Sequence, residues 1–101
     1  MTPHIKAELD SLYGMVVNWR KDYERHVDPA GGNDFLVSDF AGEIEEHLYP
    51  YLRRIRECGY ITDSEFSEFL EKCYAEVLTF REGIEAAAGQ PEEADRPARL
   101  P

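Results

Sequence analysis

Nowhere does the sequence contain an apolar run approaching the roughly 18 residues that a membrane span requires. Its first residues, MTPHIKAELD, lack the basic segment and apolar stretch of a signal peptide, so a cytoplasmic setting is expected. Cysteine is scarce. Cys58 and Cys73 are the two present, and neither belongs to a C-x-x-C pair, which excludes a disulfide scaffold and disfavours a thiolate zinc site. Cations are scarce too. With 11 Lys and Arg against 21 Asp and Glu the net charge is −10, so direct binding to nucleic acid is not expected. No strand pattern is evident, and hence no glycine-rich phosphate loop after a strand. Ser and Thr have no plausible His base or oxyanion site. No catalytic set and no cofactor are expected.

What remains is an ordinary globular composition, 43% apolar over 101 residues, enough for one domain. The acidity is uneven. Residues 59–89 hold seven acids against two bases, half of the net charge.

Three amphipathic segments stand out. The first opens with Thr2 as N-cap and Pro3 at the first helical position, where a missing N–H costs nothing. Ile5, Leu9, Leu12, Val16, Trp19 and Tyr23 then recur at spacings of 4, 3, 4, 3 and 4, a narrow coiled-coil-like seam. Pro29 and Gly31 end it. The second segment starts near Ser38 or Asp39, with Phe40, Ile44, Leu48, Tyr51, Leu52 and Ile55 as its stripe and acids at its start, Arg53, Arg54 and Arg56 at its end. Pro50 lies inside it, which predicts a kink near Glu46 to Pro50, and Gly59 closes it. The third segment begins with a capping box, Thr62 and Glu65, and a hydrophobic staple, Ile61 and Phe66. Its seam is Phe66, Leu70, Cys73, Val77, Phe80 and Ile84; Gly89 and Pro91 follow. The fold expected is all-α, an up-down-up three-helix bundle with a kinked middle helix. The domain spans 1–89, with helices over about 3–27, 39–58 and 63–88, and a disordered tail follows over 90–101.

The stretch HVDPAGGNDFLVSDF breaks a helix several times, yet holds the apolar triplet Phe35, Leu36 and Val37. Read as an extended loop, its neighbours alternate in direction. Phe35 or Val37 would then cover the open end of the bundle and Leu36 would be exposed. Tyr49, about 140° from the centre of its stripe, points outward, and Tyr13, Tyr60 and Tyr74 lie at stripe edges or outer faces. The candidate partner-binding residues are therefore Leu36, Phe35, Tyr49 and Tyr74.

Other constellations have ordinary explanations. Each histidine has a carboxylate four residues away (His4 with Glu8, Asp22 with His26, Glu43 with His47), a spacing that reads as ion pairs on a helix face. No Glu-x-x-His motif of a di-iron bundle occurs, so no metal is expected. Arg20 and His26 resemble, in their R-x5-H spacing alone, helical ribonucleases of the HEPN type, but six helical residues turn about 240° and point the two apart. Cys58 and Cys73 read as buried small hydrophobes. The acids of the third segment, Glu76 among them, spread around its non-core arc as on a solvated face.

The leading expectation is a small acidic, non-enzymatic protein-interaction or regulatory module that self-associates, since its seams are narrow for helices that each face two others. Its partner would be a protein, a second copy included, with no membrane and no direct nucleic-acid contact. The alternative is an acidic inhibitor of the kind phages encode, a nucleic-acid mimic that blocks a nucleic-acid-binding partner. A metal-binding helical bundle is the third reading.

Overall fold

The computed structural model describes the chain over residues 1–99 and its side chains over residues 1–87. Among the described residues the protein is all-helical, with no strand. Helix α1 is Pro3–Glu24. Helix α2, Asp34–Glu43, continues through a π turn, Ile44–Leu48, into α3, Tyr49–Glu57, so that the three form one rod. Helix α4 is Asp63–Arg99 and runs past Gly89 and Pro91, where a stop was expected. The expected tail, 90–101, falls on residues whose side chains lie outside the described ones.

The helix starts follow from their caps. Thr2 Oγ1 accepts from the Ile5 N–H at 3.1 Å, with Pro3 next to it. Thr62 and Glu65 form the reciprocal capping box, each side chain accepting from the other's N–H at 2.8 and 3.0 Å. Ile61 and Phe66 are both buried beside it. Gly59, at φ 84°, closes α3 in a Schellman motif: the Tyr60 N–H donates to the Ile55 carbonyl and the Gly59 N–H to that of Arg56.

The middle rod departs most from expectation. It begins at Asp34, five residues before Asp39, because the preceding loop is closed by one buried side chain. Asn33 Oδ1 accepts from the Asp28 N–H at 2.8 Å while its Nδ2 donates to the Asp28 carbonyl at 3.0 Å. Asp28 folds its own turn by accepting from the Ala30 N–H, and Gly31 and Gly32 take positive φ. The triplet Phe35–Leu36–Val37 is thus the first turn of α2.

The π turn has two causes. Pro50 has no N–H to give the carbonyl of Glu46, and its ring would crowd that carbonyl in a regular helix. The second cause is spacing. The buried residues Leu36, Phe40, Ile44, Leu48 and Leu52 recur every four positions. In a regular helix each such step precesses about 40°, about 160° over the row. The extra residue of a π turn, marked by the Tyr49 N–H donating to the Ile44 carbonyl, returns about 100° of that drift and keeps the row facing inward.

One core joins the rods. Phe40, Phe80 and Tyr23 form an aromatic cluster at one end, with ring centroids 5.4–6.1 Å apart. Tyr49 meets Phe66 edge-on at 5.7 Å nearer the other. These pairs run α2–α3 antiparallel to α4, while Tyr23 with Phe80 and Tyr13 with Glu76 run α1 parallel to α4. Phe69, which the seam spacing passed over, is buried as well. Full burial of each large side chain stabilises by roughly 1.5–3 kcal/mol.

Candidate interaction site

The four candidate contact residues separate once the fold is known. Leu36 is buried, 5% exposed, and Phe35 is 60% exposed, the reverse of what the extended-loop reading gives. The reason is the early start of α2. In a helix the residue four before Phe40 shares its face, so Leu36 joins the core and Phe35 turns about 100° away. Leu36 is therefore not a contact residue.

Tyr49 and Tyr51 also exchange places. Tyr49, expected outward, is half-buried against Phe66, and Tyr51, expected in the stripe, is 43% exposed and donates to Glu8. The turn of about 100° introduced by the π turn accounts for both. Tyr74 is half-buried on α4. Burial pushes its hydroxyl up in pKa, and the nearby Glu45 and Tyr49 add to the rise. Tyr49 and Tyr74 thus share one flank, between the middle rod and α4. One turn beyond Tyr74, Leu78 is 46% exposed. The core seam did not include Leu78, but its position four residues after Tyr74 was readable.

A different chemistry holds the α1–α4 flank. Glu76 is not on the solvated face. Its carboxylate accepts from Tyr13 Oη at 2.5 Å and from Arg20 Nε at 2.7 Å, with its side chain 15% exposed. Arg20 also reaches Glu24 at 2.7 Å, and the Lys72 ammonium lies 4.1 Å over the Tyr13 ring. Burial works to raise the pKa of Glu76, but the bonds from Tyr13 and Arg20 outweigh it and lower it. The bond to Glu76, with burial, pushes Tyr13 up to about 12. A general acid or base for neutral pH is tuned the other way, so this cluster reads as a polar lock between helices.

On the α1–α2 flank an open hollow of about 370 Å³ is lined by Tyr23, Asp39, Gly42, Glu43, Glu46 and His47. A smaller one adjoins it at Trp19, Asp22 and His26. Tyr23 Oη donates to Glu43 at 3.4 Å between them. The histidine pairs differ from one another. His47 lies 3.6 Å from Glu43, His26 contacts the Asp22 carbonyl rather than its carboxylate, and Glu8 takes Tyr51. Among the described residues no group of three or more His, Cys, Asp or Glu is placed to hold a metal. Cys73 is buried, its thiol pushed up to about 12 by burial, but Cys58 is exposed, because it is the C-cap of α3 rather than a seam position.

No helix of the described residues is long and apolar enough to cross a membrane. No family model, curated protein or solved structure matches this chain.

Proposed function

We propose that this chain is an up-down-up bundle with a bent middle rod that works as a non-enzymatic, self-associating protein-interaction module. The observation that carries the reading is the exposed Leu78 one helical turn beyond the half-buried Tyr74 on α4. Single exposed apolar residues are common on any surface. Here a tyrosine with an apolar body and a polar tip adjoins an exposed leucine, a composition favoured at protein contacts. The opposite flank of α4 is closed by the Glu76 lock, so α4 presents this side for a further helix. The test is the mass of the chain by light scattering on a sizing column over a hundredfold concentration range. A dimer in the micromolar range is the expected result, and a clean monomer throughout would sink the reading.

A second reading, an acidic competitor for a nucleic-acid-binding partner, draws support from the α1–α2 hollow, where Asp39, Glu43 and Glu46 gather on one side. Salt separates the two. Association with a basic partner weakens steeply as salt rises. Self-association of chains that each carry −10 does not.

A further inference from the structure

Helix α4 carries a mixed polar and apolar row beside its core-facing seam. Ser67, Glu71, Tyr74, Leu78, Arg81 and Glu85 recur at spacings of 4, 3, 4, 3 and 4. At 3.6 residues per turn they fall within about 80° of arc, so one facing helix reaches all six, with Tyr74 and Leu78 at the centre and charged residues on either side. This row lies away from α1, whose side of α4 is fixed by Glu76 and its bonds to Tyr13 and Arg20. Tyr74 in its middle is half-buried and the other five are exposed.

We infer that this row is the contact between two copies of the chain, with their α4 helices antiparallel about a two-fold axis passing between Tyr74 and Leu78. The inference rests on the self-association proposed above and names its site. The charges select the geometry. About that axis Tyr74 meets Leu78 of the second copy, Glu71 meets Arg81, and Ser67 meets Glu85, each pair occurring twice. No like charges of the row face each other. A parallel pairing in register would set Glu71 against Glu71 and Arg81 against Arg81 and is opposed. Arg81 is available for the exchange, since its reach to Glu85 within the chain is long, 3.8 Å, and half-exposed.

The experiment uses the full chain and follows its dimer constant by sedimentation, with a thermal melt of each variant as a folding control. Leu78→Lys places two cations at the centre of the contact and weakens association by more than about tenfold. Glu71→Arg and Arg81→Glu each set like charges across the axis and weaken it. The double variant, Glu71→Arg with Arg81→Glu, restores it, and an equimolar mixture of the two single variants associates more tightly than either alone. Association that stays at the wild-type level in Leu78→Lys and in both charge reversals overturns this contact while leaving self-association through another face. A wild type that stays monomeric overturns both.

Discussion

Glu76 on α4 accepts hydrogen bonds from two side chains of α1, Tyr13 and Arg20, and so ties the two helices together. Its pKa is lowered in the folded state, so the stability it adds is present above its ordinary value of 4.5 and is lost as pH falls through the lowered one. Glu76→Gln is expected to cost about 1–3 kcal/mol near neutral pH. That deficit should shrink as pH falls below 4.5, which denaturant melts at a series of pH values would show. Tyr13 has the opposite sign. Its pKa is raised, so its contribution is complete below 10.0 and fades as pH rises toward 12. At the start of α2 the two neighbours behave as opposites. Leu36→Asp puts a carboxylate into the core and should destabilise by about 3 kcal/mol or more. Phe35→Ala should stay within about 0.5 kcal/mol of the parent, because Phe35 lies in solvent. Urea melts of the pair decide it, and equal destabilisation by both would contradict the burial pattern.

At the scale of the element, the middle rod is a helix with one residue too many for a regular turn. Removing that residue should therefore be tolerated where a deletion normally is not. Deleting the exposed Glu46 in a Pro50→Ala background converts the π turn to α-helix and leaves the rows on either side in phase. Its thermal midpoint should lie within several degrees of the parent. Deleting the exposed Ser11 from regular α1 rotates half that helix by about 100° and should unfold the chain. Loss of fold in both deletions would mean that the π turn is not an inserted residue. Gly14 and Gly83 sit inside helices with nothing within 4 Å of where a Cβ would stand. Alanine at either should stabilise by up to about 1 kcal/mol, measured by thermal melts.

At the scale of the whole molecule, the two flanks of α4 do different work. One is sealed to α1 by charge and hydrogen bonds, and the other keeps aromatic and aliphatic surface beside the middle rod. The net charge of −10 acts on everything at once. Self-repulsion works against the compact state, so raising ionic strength should raise the thermal midpoint even though the Arg20–Glu76 pair is screened a little. Calorimetry across a salt series checks it, and a midpoint that falls with salt would show that local pairs outweigh the net charge.

The sequence alone determined what depends on near neighbours. Thr2 with Pro3, and Thr62 with Glu65, define helix starts because a cap bonds only to residues within one turn. The 4-3 seams of α1 and α4, together with the stripe from Phe40 to Ile55, located most of the core, because helical faces repeat at fixed intervals. The early start of α2 was not legible, since it depends on Asn33 closing a loop onto Asp28. The four-residue spacing from Leu36 to Leu52 did carry the π turn, but only once Leu36 was known to be helical and buried. Tertiary structure decided the rest. Whether Glu76 faces water or Arg20 depends on the phase of α4 against α1. That phase is set by packing between residues distant in the chain, which no local pattern encodes.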